Sequence, residues 1–405
     1  TTSGAISVNL PAGTAGDVVA IKDYANTFDT NNVTLVVNGS DKIGGSNVNG
    51  TLSTEGLAVT LVFVDATKGW LVTDNGTQDT APTAQYVTAT GGTIKTSGNF
   101  KTHIFTGPAT FCVSCAGNAQ GSNTAEYFVL AGGGSGGAYN STNEGLGGGG
   151  AGGFRLSAAA CVPAPTMSPL AKSCGALPVT AQGYPITVGG GGARTDVCTT
   201  NPAPGNPGSN SIFSTITSAG GGGGAPSPDN NGFTGGSGGG GNRGNSTTGV
   251  GGAGNTPPVS PPQGQTGGGG TPLPAQGPPA PVPTRNGGGG GGAGAVGAEA
   301  VTANAGTGGA GSFVADAFIG GCAPSFGTPG PVSSTRYFAG GGGGSGGSGG
   351  QPGGGAGAGN GRQGTNGDSA SANSGSGGGG GNNTLTPGGA GLGGSGIVII
   401  RYKFQ

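Results

Sequence analysis

The sequence predicts an all-β protein with almost no α-helix: a small β module at residues 1–75, followed by a larger body in which strands hold a bundle of glycine helices. Three observations predict it. The chain of 405 residues carries 104 glycines and 28 prolines, a composition that without a collagen period suggests low complexity or disorder. The glycine is localised, however, with 16 in residues 1–130 and 88 beyond them. The glycine tract also ends in one apolar strand, where Gly393-Gly394-Ser395-Gly396 runs into Ile397-Val398-Ile399-Ile400-Arg401-Tyr402-Lys403-Phe404. A disordered tail has no reason to finish that way, whereas a folded glycine domain needs a last strand to close a sheet begun earlier.

Residues 1–75 contain about five strand-like segments: Ile6–Leu10, Val18–Ile21, Val33–Val37, Val59–Val64 and Trp70–Val72. Asn38-Gly39-Ser40 stands where a tight hairpin turn needs positive φ. A module of this size buries only a marginal core, so oligomerisation, as a homotrimer, is expected. Residues 76–84, around Gly76, Thr77 and Pro82, read as a linker. Residues 85–130 form a second β segment, with short strands at Tyr86-Val87, Thr93-Ile94, His103–Phe105, Phe111–Val113 and Tyr127–Leu130.

Residues 131–405 alternate glycine runs with loops rich in Pro, Ser, Thr and Asn. The runs include 147–150, 189–192, 220–224, 238–241, 267–270, 287–292, 340–344 and 377–381. Tyr184–Val188 and Ile212–Ile216 enter such runs as strands. Ordering glycine costs more backbone entropy than ordering any other residue, and lateral hydrogen bonding offsets that cost. A polyproline II helix has three residues per turn and no internal hydrogen bonds, so its N–H and C=O groups are free to bond to neighbours. Gly287–Gly292 would span about 19 Å in this form. A side chain inside such a lattice would hold the backbones apart. A flexible linker is the simpler alternative.

The chain lacks the features of several function classes. Only 7% of residues are charged and the net charge is −1, so no basic groove for nucleic acid is expected. No apolar run reaches the length of a membrane-spanning helix. No secretory leader pattern is visible, and the sequence opens at Thr1 without Met, as a processed product or part of a longer chain would. The six cysteines are Cys112, Cys115, Cys161, Cys174, Cys198 and Cys322. Cys112 and Cys115 form half of a zinc-type pattern whose other half is missing, and no metal is expected. Cys161 with Cys174 could staple one loop, or both could be free thiols. His103, the lone histidine, sits in a strand, with no Ser or Cys and acid arranged around it as a triad would need. Carboxylates are scattered, with no pair placed for glycoside cleavage. GxGxxG matches arise by chance in glycine runs and lack the flanking strand, helix and distant acid. Asn140-Ser141-Thr142 and Asn245-Ser246-Thr247 fit the glycosylation sequon. Trp70 reads as core. No enzymatic activity and no cofactor are expected.

A rigid glycine block leaves sequence freedom to its loops, and functional residues concentrate on loops held by rigid scaffolds. The loops at 155–183 (with Pro163, Met167 and Lys172), 194–210 (with Asp196), 271–286 and 322–338 are long and unlike one another. Aromatic and Arg side chains dominate binding hot spots. The candidate contact residues are Tyr139, Arg194, Arg285, Phe326, Arg336 and Tyr337, with loop packing between trimer mates as the alternative for each.

Several stretches resemble a known family. These are Tyr86-Val87 with Gly91–Ile94; Lys101–Pro108 with Phe111 and Val113; Glu126–Gly134; Ser214–Ala219; and Gly394–Tyr402. Together they look like the glycine-rich tail-fibre domain of marine phages, cyanophages especially, over about residues 85–405. Residues 1–75, with Asn31–Thr34 and Thr67–Trp70, look like a β module common in phage tail fibres. The resemblance implies a homotrimeric virion fibre, a tip of packed polyglycine helices similar to that of T-even phage adhesins, and recognition of a host cell-surface receptor, a glycan or an outer-membrane protein, by distal loops. No individual contact residue carries over. The CxxC departs from the family's usual Thr-rich strand. The competing expectations are a structural fibre or decoration protein of head or tail without receptor contact, and an ice-binding or extracellular glycine-bundle protein. Irregular loop lengths speak against the last.

Overall fold

The computed structural model describes residues 3–77, 84–139, 144–160, 162, 164–194, 203–227, 231–243, 248–271, 285–382 and 389–405. Most of the expected linker, both sequons, Cys161, Pro163, Asp196 and Cys198 lie outside the described residues. The chain divides into two compact units, Thr1–Thr83 and Ala84–Gln405.

Among its described residues the first unit holds six strands: β1 (Ile6–Asn9), β2 (Val18–Lys22), β3 (Val33–Val36), β4 (Gly50–Leu52), β5 (Leu57–Asp65) and β6 (Gly69–Thr77). They form two three-stranded sheets, β1-β3-β4 and β2-β5-β6. Alternation in β3 and β5 turns Val33, Leu35, Val59, Leu61 and Phe63 inward, where they pack with Leu10, Phe28 and Trp70. Trp70 is fully buried, with its ring edge-on to Phe63 at 5.4 Å. Burial opposes the charge on Asp23, yet N–H groups of Phe28, Thr27 and Gly56 donate to its carboxylate and hold it below the usual carboxylate range. Gly39 does have φ +51°, but Asn38-Gly39 closes no tight hairpin: β3 runs parallel to β1 and meets β4 only after a longer loop. The tight reversal comes at Ala66–Lys68 between β5 and β6, where Gly69 takes φ +70° and a Cβ would lie 2.0 Å from the Lys42 carbonyl.

The second unit opens with β7 (Val87–Thr90), β8 (Thr93–Ser97), β9 (Phe100–Phe105), β10 (Ala109–Ala116) and β11 (Thr124–Leu130). The closing strand, Ile397–Lys403, lies between β11 and β9, antiparallel to both, at the centre of the larger sheet. A five-stranded sheet contains β7, β10, Gly183–Thr187 and the hairpin Ser211–Phe213/Ile216–Ser218, which turns at Ser214 with φ +53°. Between the two sheets, Val398, Ile400 and Tyr402 pack with Phe105, Phe111, Tyr127, Val129 and Phe213. On the other face of the large sheet, Ile397 and Ile399 pack with Phe128, Leu130 and Phe154. Val314, Phe318, Ile319 and Phe338, contributed by residues 312–338, cover them. That segment holds the only α-helix among the described residues, the four-residue Asp316–Ile319.

Two polar contacts fix the centre of this sandwich. His103 Nδ1 lies 2.7 Å from the Gly91 carbonyl and so carries the proton; its Nε2 accepts from Tyr402 Oη at 3.1 Å, and Ala89 N–H donates to the same hydroxyl. On the opposite face Arg401 Nη1 donates to Glu126 Oε2 at 2.7 Å, with the guanidinium stacked 3.6 Å from the Phe100 ring centroid.

The glycine runs hydrogen-bond sideways with a three-residue repeat, as residues 131–138 illustrate. N–H groups of Gly132, Ser135 and Ala138 donate to carbonyls of Ser209, Asn206 and Ala203; those of Gly133 and Gly136 donate to Gly394 and Gly391; those of Gly134 and Gly137 donate to Gly150 and Gly147. Every third residue faces the same neighbour, which is the turn of a polyproline II helix. The segment's carbonyls accept from Gly221 and Gly224, from Gly192, and from Gly378 and Gly381, so neighbours enclose it on all sides. Residues 146–153 and 287–293 are enclosed in the same way. None of Gly132–Gly137 has positive φ, so an L residue could adopt this backbone. Space decides instead: a Cβ on Gly132, Gly133 or Gly134 would come within 2.0, 2.1 or 2.2 Å of a neighbouring carbonyl oxygen.

Candidate functional site: the loop-bearing end of the glycine bundle

Strand connections give every glycine helix a direction. Residues 131–138 leave the sandwich at Leu130, so Tyr139 lies at the far, distal end. Residues 146–153 run back into the strand Phe154–Ser157, so Glu144 is distal too. Hydrogen-bond registers carry the assignment through the bundle. Residues 220–225 run parallel to 131–138, through Gly221 to Gly132 and Gly224 to Ser135. Residues 287–293 run parallel to 146–151, through Gly148 to Gly288 and Ala151 to Gly291. Residues 340–345 oppose 287–293, through Gly290 to Gly342 and Gly287 to Ser345. The described flanks Tyr139 and Glu144, Ser227 and Asn231, Arg243 and Thr248, Thr271 and Arg285, and Asn382 and Gly389 therefore all lie at the distal end. So do the turns 301–305, 345–350 and 362–366.

A buried polar layer sits beneath these turns, because helices without side chains cannot cap their own ends. Asn286 Nδ2 donates to carbonyls of Val301 (2.8 Å) and Thr302 (3.2 Å), while its Oδ1 accepts from Ser348 Oγ (2.7 Å). Asn382 Oδ1 accepts from Gly364 N–H at 2.9 Å. Glu144 bonds Arg285 through one oxygen and accepts from Ser227 Oγ at 2.9 Å through the other. Arg243 is buried nearby, where desolvation and then the charge of Arg285 lower its pKa. At the exposed surface of the same end, Arg362 grips Asp368 with two hydrogen bonds, at 3.0 and 2.6 Å. Such pinning pre-organises the described turns and flanks at this end.

A family model described as a glycine-rich domain matches residues 114–403, from within β10 to the end of the closing strand. The chain belongs to this glycine-rich domain family. No curated protein matches the chain.

The glycine-rich domain separates the six candidate residues. Tyr139, half-buried and paired in register with Asn382, and Arg285, bound to Glu144, are distal. Arg194 is exposed and ends the segment 189–194, which runs distally, opposing 389–396 through Gly393 to Gly192 and Gly396 to Gly189. Phe326, Arg336 and Tyr337 are at the sandwich end. The segment 322–338, expected as a loop, contains the strand Thr335–Phe338, which pairs with Ser312–Ala315. Arg336 Nε donates to the Phe326 carbonyl at 2.8 Å and Nη2 to that of Gly327 at 2.9 Å. Phe326 packs on the apolar cluster beneath the large sheet, and Tyr337 stacks near Phe313 at 5.4 Å. The loop 155–183 likewise packs against that sheet, through Leu156, Val162 and Leu170.

Cys112, Cys115, Cys174 and Cys322 are free thiols, and a bulge between Val113 and Cys115 breaks the strand alternation of the CxxC. Among the described residues no His, Cys, Asp or Glu cluster could hold a metal, and no helix is long and apolar enough to cross a membrane. Sequence reasoning missed Glu144, Asn286 and Asn382. Each stands within three positions of a glycine run among other polar residues that give it no mark of its own, and only the register of the bundle brings them to one end.

Proposed function

We propose that this chain is a receptor-binding tail-fibre protein of a phage, recognising a host cell-surface glycan or outer-membrane protein through the distal end of its glycine bundle. The observation that carries the reading is the set of lateral hydrogen-bond registers, which gathers turns of unlike sequence on one end of the glycine block. The resemblance of residues 85–405 to marine-phage tail-fibre domains supports it. In this reading the chain is a homotrimer in the virion, its first unit attaches to other tail proteins, and the distal turns do the chemistry of adhesion without catalysing a reaction.

Fluorescently labelled protein incubated with a panel of marine bacteria tests it. Labelling of a subset of strains is expected, lost when the distal turns 301–305, 345–350 and 362–366 are exchanged for those of a relative and retained when residues 328–334 are exchanged. Equal labelling by the distal-exchange variant would overturn the reading. Imaging of the particle with antibody against this chain separates the alternative: label on the capsid shell would make it a decoration fibre.

A further inference from the structure

A cavity of about 360 Å³ opens where β11 begins, the closing strand ends and β9 begins, at the end of the large sheet away from the bundle. Asn99, Phe100, Ser122, Thr124, Glu126 and Lys403 line it. Its size falls within the range of small-molecule sites, about 300–1,000 Å³.

The wall chemistry narrows the occupant. Glu126 is held rigidly: Ala160 N–H donates to Oε1 at 2.5 Å and Arg401 Nη1 to Oε2 at 2.7 Å. Arg401 is itself fixed by the Phe100 ring. An ionised carboxylate has about four acceptor positions, so two remain on a carboxylate already in place. Arg401 balances its charge, which removes the main attraction for a cation. The carboxylate oxygens repel an anion, and the one remaining wall charge, Lys403, lies 5.5 Å from the Tyr86 ring centroid. The amide of Asn99 and the hydroxyls of Ser122 and Thr124 add both donors and acceptors, which an apolar ligand would leave unmatched. Phe100 gives one apolar wall. Fixed acceptors, hydroxyls, an amide and an aromatic wall, with the Glu126 charge balanced by Arg401 and Lys403 drawn towards the Tyr86 ring, suit a neutral molecule with many hydroxyl groups.

We propose that this cavity is a saccharide site taking one or two neutral sugar units. It rests on the cavity alone and stands apart from the fibre reading, since it lies at the opposite end of the domain from the glycine turns.

The test is saturation-transfer NMR and calorimetric titration of the full chain with glucose, galactose, mannose, N-acetylglucosamine and lactose, with glucuronate and inorganic phosphate as charged comparisons. At least one neutral sugar is expected to bind in the millimolar range. Thr124→Trp, which fills the cavity, should abolish binding. Asn99→Ala, at the exposed rim, should weaken it several-fold without moving the melting temperature and serves if Thr124→Trp does not fold. Absence of binding by every neutral sugar at tens of millimolar would overturn the proposal. So would binding unchanged in the folded variants, or binding of glucuronate or phosphate in place of the neutral sugars.

Discussion

Tyr402 Oη lies 3.1 Å from His103 Nε2 and donates to it, joining the closing strand to its neighbour β9, while the same hydroxyl accepts from Ala89 N–H of the facing sheet. Burial holds the imidazole below its ordinary value, with the Gly91 carbonyl acting the other way. The fold therefore keeps His103 neutral, while the unfolded chain takes up a proton near pH 6.5. Stability from this group is fully present above about pH 6.5 and is lost as pH falls through the depressed folded value. Thermal unfolding of the wild type should show a melting temperature that declines below that pH, and His103→Gln should flatten the decline. An unchanged slope in that variant would mean that other groups carry the acid sensitivity.

Removing the hydroxyl tests the same contact without titration. Tyr402→Phe leaves Ala89 N–H and His103 Nε2 without their buried partner. The expected loss is about 1–3 kcal/mol in denaturant unfolding, with the slope unchanged.

The Glu126–Arg401 pair should behave asymmetrically. Glu126→Leu leaves a buried guanidinium without its carboxylate and should cost about 3–5 kcal/mol, whereas the double variant Glu126→Leu/Arg401→Met should recover most of that loss. A double-mutant cycle measures the coupling. Additive losses would show that packing on Phe100, rather than charge, holds Arg401.

Two adjacent glycines separate space from backbone conformation. A Cβ on Gly191 would sit 2.0 Å from the Gly393 carbonyl oxygen, while one on Gly190 meets nothing within 4 Å. Neither has positive φ. Gly191→Ala should destabilise by about 1–3 kcal/mol or more. Gly190→Ala should be neutral or stabilise by up to about 1 kcal/mol, because it restricts the unfolded chain. Equal effects in calorimetry would argue against lateral packing as the reason for glycine.

Much of the sandwich was legible in the sequence because its strands carry side chains. Val33–Val37, Val59–Val64, Tyr127–Leu130 and Ile397–Phe404 announce themselves by β-branched and aromatic residues, and each lies within two residues of a strand. Gly50–Leu52 is short and carries one apolar residue that alternation could detect, so it was not foreseen. Direction within the bundle was illegible for a different reason. Reversals such as Gly355–Gly357, where all three residues take positive φ, are written almost wholly in the residue of the helices they join. No side chain marks the phase, so sequence could not separate Arg285 at one end from Arg336 at the other. The cavity was hidden because Asn99, Ser122 and Lys403 meet only through strand pairing.

The central seat of Ile397–Lys403 also bears on synthesis. The slot between β9 and β11 stays vacant until the ribosome has delivered the last of the glycine helices, and those helices bond to partners made both long before and long after them. Nascent segments thus emerge with amides and carbonyls that water must serve until their mates arrive. The large sheet therefore cannot be completed before its last strand is made, and a chain cut short of residue 397 would present an open groove lined with unpaired backbone, which is an invitation to aggregate or to attract a quality-control protease.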